Sequence, residues 1–371
     1  MNKDFREGLL QIDLGAIGDN YIQLRDRLAT GSRCGAVVKA DAYGLGMAEV
    51  APALQRRGCR DFFVATQDEG EALRQLLGDD VRIVVLTGVR PGFELDCAGA
   101  GLIPTLFTLE QLREWVALCS RAGIAGPCAL KVDSGMTRLG MTPEEFDQLL
   151  ADPALLRSAD IRLLLSHLAC ADEPDHPQNA LQLRNFQEAA GRLRQRCPDV
   201  ELSLANSSGI CLGGEYHFDV VRPGSALYGV NPVPGGANPM RAVVELRLPV
   251  LQKRRLGTGR SVGYGATQQA AAGSWLATAR GGYADGILRA QGGRGCGWAC
   301  GRRLPMVGRV SMDSAVYDIG ALSEVERDGL ESIELLNREI TVDEMAGYAG
   351  TIGYEILTSL GHRYGRRYLG S

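Results

Sequence analysis

The chain of 371 residues carries 40 lysines and arginines against 44 aspartates and glutamates, a net charge of -4, and 45% of it is apolar. That supplies a core for one large or two medium domains and gives no electrostatic footing for nucleic acid or an anionic membrane. No apolar run approaches the roughly 20 residues of a membrane span, and the opening "MNKDFREGLLQIDLGAI" lacks a signal-peptide pattern, so a cytoplasmic protein is expected.

Along the first two thirds, short β-type runs alternate with amphipathic helical stretches. The strand candidates are 35–40 (GAVVKA), 61–66, 82–88, 102–107, 128–134, 161–168, 201–207 and 219–224. Among the helices, "TLEQLREWVALCSRAG" opens on Thr108 as a candidate N-cap and closes at Gly123. "NALQLRNFQEAAGRLRQRC" repeats apolar residues at three- and four-residue spacing. Alternating strands and helices imply a parallel sheet. Eight repeats in about 230 residues fit a closed (β/α)8 barrel of the TIM type. The alternative, an open doubly wound sheet, lacks a GxGxxG after an early strand.

Beyond residue 240 the pattern becomes strands broken by Gly-rich turns, with helical character at 342–350 and 353–361. The expected division is a barrel over 1–240, joined through "NPVPGGANP" (231–239) to a mainly β domain over 241–371. The first ten or so residues are expected to pack on the second domain. Ten cysteines are irregularly spaced and four histidines do not cluster with them, so neither a disulfide framework nor a metal site is expected.

In a β/α barrel the C-terminal strand ends carry the chemistry. Here those ends hold Lys39 and Tyr43; Lys131, Asp133 and Arg138; Ser166 and His167; Asn206, Ser207 and Ser208; then Arg222, Gly224 and Ser225. Each alone has an ordinary structural reading: a strand-end lysine in water, a satisfied core histidine, an Asn-Ser-Gly turn. Together they converge. A lysine in an apolar strand loses hydration and is favoured as the neutral amine, the environment of a Schiff-base lysine. The "NSSG" and "RPGS" loops follow strands seven and eight, where barrels bind phosphate. A Schiff-base lysine opposite a phosphate site suggests pyridoxal 5'-phosphate, an aldehyde with a phosphate handle. In the second domain Tyr264 and Tyr283 each lie in a Gly-rich turn, ordinarily an exposed position.

The ordered motifs "AVVKADAYGLG", "LKVDSGMTRLG", "SHLACADE", "LANSSG", "VRPGSALYG", "SVGYGAT", "GYADG", "VGRVSMDS" and "GTIGYEIL" resemble those of the alanine racemase family, from about residue 9 to the C-terminus. The resemblance implies a PLP-dependent isomerase that interconverts L- and D-alanine with two bases, Lys39 and Tyr264, on opposite faces of Cα. It further implies a homodimer in which Tyr264, Tyr283, Met312 and Asp313 reach the site from the other subunit. By the same resemblance Arg222 faces the pyridine nitrogen, Arg138 binds the substrate carboxylate and His167 links Tyr264 to Arg222. Tyr43, Ser207, Gly224, Ser225 and Tyr354 hold the phosphate, Asn206 and His167 also belong to the cofactor site, and Lys131 matches a lysine that can be carbamylated. Such an enzyme would supply D-alanine for peptidoglycan or serve its catabolism. Rival readings are a racemase of serine or lysine, a barrel decarboxylase, and a non-catalytic PLP carrier. A decarboxylase would not need the "SVGYGAT" tyrosine as a second base, and such a carrier resembles the barrel alone, without the 130 or so residues that follow Met240 here. The segment 289–303, rich in Gly, Arg and Cys, departs from the family pattern.

Overall fold

A computed structural model of the protein describes residues 7–370. Seven parallel strands follow one another in chain order around a curled sheet: Ala36–Val37, Asp61–Val64, Arg82–Val85, Ile103–Leu106, Pro127–Lys131, Asp160–Leu165 and Glu201–Ser203. The eighth, Val220–Val221, pairs in parallel with Arg33–Cys34 just ahead of the first. Backbone bonds carry it across the gap: Gly35 N–H to Val221 O at 3.0 Å and Val37 N–H to Pro223 O at 2.9 Å on one side, Arg222 N–H to Ala205 O at 2.9 Å on the other. The ring is thereby closed, and the sequence-based expectation of a (β/α)8 barrel holds. Strands such as Asp61–Val64 are buried along their whole length, as expected of a parallel sheet covered on both faces.

The helices start where side chains can cap them. Thr108 accepts from Gln111 N–H at 3.1 Å at the head of Leu109–Ala122, which ends on a left-handed Gly123. Thr66 and Glu69 form a reciprocal capping box on Gln67–Leu77. The predicted strand 35–40 is shorter than expected, because regular pairing stops at Val37 and the chain turns at Lys39.

The second sheet is built on one 12-residue strand, Val244–Arg255. It pairs antiparallel with Leu9–Asp13, with Ser332–Leu336 and with Trp275–Arg280. Leu9–Asp13 also pairs in parallel with Gly365–Leu369, so the first described strand and the last lie side by side. A hairpin, Arg260–Val262 with Gln268–Ala270, carries Tyr264 at its tip. The 289–303 segment forms a second hairpin, Cys296–Ala299 with Arg302–Pro305, turned by Cys300 and Gly301 at positive φ. All ten cysteines are free, and no helix among the described residues is long and apolar enough to cross a membrane.

Candidate active site

A cavity of about 680 Å³ opens at the C-terminal end of the barrel. Lys39, Tyr43, Lys131, Arg138, His167, Asn206, Ser207, Arg222, Gly224, Ser225 and Tyr354 all line it. Directly after Lys39 four non-glycine residues adopt left-handed backbone, Ala40 to Tyr43 with φ of 53°, 54°, 53° and 58°. Such a turn costs roughly 1–2 kcal/mol per residue, so it must be held from outside. Arg366 donates to Gly44 O at 2.6 Å and Tyr368 to Leu45 O at 3.0 Å. The turn places Lys39 and Tyr43 in one cavity four residues apart. The glycines behind it serve a purpose the sequence did not suggest. A Cβ on Gly44 would lie 2.6 Å from Leu357 O, and one on Gly46 would lie 2.1 Å from the Tyr368 hydroxyl. They admit the C-terminal domain rather than a ligand.

Across the cavity, the Ser207 hydroxyl accepts from Gly224 N–H at 3.0 Å and Ala226 N–H at 3.2 Å, tying the loops after strands seven and eight together. A Cβ on Gly224 would come within 2.4 Å of the Tyr43 hydroxyl. Tyr43 stacks at 4.8 Å on Tyr228, whose hydroxyl donates to Val37 O at 2.9 Å. Arg222 is buried and fixed by bonds from its guanidinium to the Ser203 hydroxyl and to Ser166 O. Asp133 accepts from the N–H groups of Gly135, Met136 and Thr137 at 2.8, 2.9 and 3.1 Å, which shapes the loop carrying Arg138.

The two ends of the barrel differ in charge. At the N-terminal end Arg33 and Arg82 are balanced by Asp61 and Glu201 in one ion-pair network. At the cavity end Lys39, Lys131, Arg138 and Arg222 face a space whose one lining carboxylate is Glu355. Burial, then Arg138, push the Lys39 ammonium below its ordinary range, while Glu69 acts the other way. Burial with Arg222 and Arg138 brings Lys131 down to about 8, and burial alone brings Arg222 down to about 10. His167 is held well below its ordinary value by burial and by the same cations, so the imidazole stays neutral. An unbalanced cationic cavity calls for an anionic ligand.

The sequence profile of the alanine racemase N-terminal domain matches residues 12–232, and that of the C-terminal domain matches residues 243–368. The chain belongs to the alanine racemase family. It is 51% identical over 370 residues to an alanine racemase of Rhodospirillum rubrum, covering 100% of this chain and 98% of that one. It is 49% identical over 362 residues to a catabolic alanine racemase of Mesorhizobium japonicum, covering 98% and 93%. Among solved structures it is similar to an alanine racemase of Bartonella henselae with covalently bound pyridoxal phosphate. That match has a TM-score of 0.92 and 38% identity, and covers 98% and 99% of the two chains. An alanine racemase of Streptomyces coelicolor A3(2) gives a TM-score of 0.92 at 32% identity, with both chains fully covered.

Four residues that the racemase resemblance names stand apart from the cavity of their own chain. Tyr264 is 68% exposed at its hairpin tip, and Tyr283 and Met312 are also exposed. The loops bearing Tyr283, Met312 and Asp313 are laced together. Gly281, Tyr283 and Ala284 N–H groups donate to Asp313, Ser311 and Met312 carbonyls at 2.8, 3.0 and 3.1 Å. Arg363 then grips Asp285 at 2.6 and 2.8 Å and Asp313 at 2.8 Å. The result is one preformed knob facing solvent.

Sequence reasoning missed the supports of this cavity. From helix Pro177–Arg194, Gln178 donates to Gly135 O at 2.6 Å, Gln182 to His167 O at 2.8 Å, and Asn185 to Ser134 O at 3.0 Å. These three amides, at i, i+4 and i+7, lie on one helix face and fix the Arg138 loop and the His167 segment together. Their spacing is the available signal; Gln182 and Asn185 lie within the stretch read for its apolar residues, and Gln178 lies just ahead of it.

Proposed function

We propose that the protein interconverts L- and D-alanine with pyridoxal 5'-phosphate, using Lys39 and Tyr264 as opposed bases. The observation that carries this reading is the excess of cations, Lys39, Lys131, Arg138 and Arg222 against the lining carboxylate Glu355, around one cavity at the C-terminal end of the barrel. Both the phosphate and the substrate carboxylate are anions, and the cavity offers each a cationic wall. The residues present fit the cofactor. Lys39 is poorly solvated and so can react as a neutral amine, and Gly224, lacking a Cβ, lets the Tyr43 hydroxyl stand close against the loop after strand eight.

Bound there, the cofactor supplies the electron sink that lets the Cα–H bond of alanine ionise. Tyr43, Asn206, Ser207, Gly224, Ser225 and Tyr354 would hold the phosphate end. Arg222, already anchored by Ser203 and Ser166, would meet the pyridine nitrogen with a hydrogen bond rather than a transferable proton. Arg138 would hold the substrate carboxylate. Lys131, with a depressed pKa, is suited to carbamylation, which would turn a cation beside Arg138 into an anion able to orient it. Racemisation needs one base to remove a proton and another to return one to the opposite face. Lys39 supplies one face. The knob with Tyr283, Met312 and Asp313, and the hairpin with Tyr264, have no cavity of their own to enter, which supports a homodimer in which each chain completes its partner's site. There His167 would neighbour Tyr264.

Reduction of the purified protein with borohydride, followed by peptide mapping, tests the foundation. The pyridoxyl label is expected on Lys39, and a label on another of the four lysines, Lys3, Lys131 or Lys253, would remove it. Circular dichroism of incubated L- and D-alanine, serine and lysine then tests the substrate, with alanine expected to racemise fastest.

A further inference from the structure

Glu69 carries one bond more than its helix cap requires. It is the third helical residue of Gln67–Leu77, and one carboxylate oxygen, Oε2, accepts from Ala65 N–H at 2.7 Å and Thr66 N–H at 3.2 Å. Those bonds complete the capping box. The other oxygen, Oε1, reaches across to the turn after the first barrel strand and accepts from Ala40 N–H at 2.7 Å. Ala40 follows Lys39 and is the first of the four left-handed residues.

Backbone and side-chain bonds hold the rest of the turn, beginning with Ala42 N–H to Val38 O at 2.9 Å, which closes it over Lys39. Gly46 N–H donates to Asp41 O at 2.9 Å, Met47 N–H to the Asp41 carboxylate at 2.7 Å, and Arg366 and Tyr368 grip Gly44 and Leu45. The Glu69 bond is the one from a side chain to the Ala40 amide, in the peptide that joins Lys39 to the turn, among the described residues. A left-handed alanine has no intrinsic reason to stay so, and a change there would swing both the lysine chain and the Tyr43 ring.

We propose that Glu69 is a positioning residue for the reaction: one oxygen caps its own helix while the other pins the Ala40 amide, fixing where the Lys39 amine and the Tyr43 hydroxyl stand. A carboxylate suits this task because it accepts on both sides. A glutamine would turn an NH2 group toward one set of N–H donors. The inference rests on the reading of Lys39 as the cofactor lysine and base.

The test compares Glu69→Gln with Thr66→Ala, which removes the other half of the capping box, the 3.3 Å bond from Glu69 N–H to the Thr66 hydroxyl, and leaves the Ala40 bond in place. Borohydride mapping of the unaltered enzyme comes first. A label away from Lys39 would defeat the underlying reading, whereas a label on Lys39 leaves this inference to stand or fall by itself. Glu69→Gln is expected to lower kcat in both directions about 100-fold, the cost of a displacement near 1 Å, with the alanine KM little changed. Titration of its apoprotein should show weaker affinity for pyridoxal phosphate. Thr66→Ala should melt earlier yet keep kcat. Adding Ala40→Gly to Glu69→Gln should recover part of the loss, because glycine takes the left-handed conformation without help. Equal losses of kcat in Thr66→Ala and Glu69→Gln would overturn the proposal, as would unchanged kcat and cofactor affinity in Glu69→Gln, or a double variant with no recovery. If Glu69→Gln does not fold, Glu69→Asp, which keeps both acceptors but draws them back, is read by the same measures.

Discussion

Lys131 shows how a single buried group links the cavity to stability. The unfolded chain holds its proton up to about 10.5, whereas the folded chain releases it at about 8. Between those values the unfolded state binds more protons, so this residue makes stability rise with pH across that window, and its penalty is complete below it. The shift corresponds to about 3 kcal/mol as an order of magnitude. The buried Cys59 and Cys97 thiols, pushed up to about 12, pull the other way above pH 9. The difference between proteins therefore isolates the lysine. Denaturant midpoints of the apoprotein and of Lys131→Met should diverge most at pH 7 and converge toward pH 10, with Lys131→Met the more stable at the lower pH. A constant difference across that range would assign the residue no titration there.

At the scale of elements, the knob formed by the 281–285 and 311–313 loops depends on a glycine. Gly282 has ordinary extended backbone, but a Cβ there would lie 2.1 Å from Ser311 O and 2.4 Å from Met312 O. Gly282→Ala must push the two loops apart. Because the proposed cofactor cavity lies in the barrel, we expect that variant to keep its affinity for pyridoxal phosphate and its label on Lys39, while kcat falls at least about tenfold. Parallel loss of cofactor binding would mean that the loops also support the barrel. Much at this scale was readable in advance. Strand and helix alternation follows from hydrophobic period, and Thr108 and Gly123 mark a helix by local chemistry. The left-handed turn was not readable, because Ala, Asp, Ala and Tyr have no preference for that backbone and contacts from other parts of the chain impose it. The Glu69 bond to Ala40 and the amide face of Pro177–Arg194 were hidden for the same reason. Both join segments that are remote in sequence.

For the whole molecule, the separation of Tyr264 from the cavity of its own chain makes assembly a condition of activity in this reading. Inactive Lys39→Ala and Tyr264→Phe chains, mixed and allowed to exchange, should form heterodimers with one intact site of the two, and activity should return toward about a quarter of the unaltered level with statistical pairing. No recovery in a mixture shown by mass to contain heterodimers would place both bases in one chain.

The pairing of Leu9–Asp13 between Val244–Arg255 and Gly365–Leu369 also bears on how the chain is made. This strand leaves the ribosome ahead of the barrel, yet its neighbours emerge after the barrel; the bond from Gln11 to Glu245 spans 234 residues. At about 5–20 residues per second, the nascent chain waits on the order of 10–50 s before that strand can be paired. During that interval "LLQID" is an apolar strand with both edges open, while the barrel that follows it can already close. The order of synthesis thus gives the barrel time to close before Leu9–Asp13 meets Val244–Arg255 and then Gly365–Leu369.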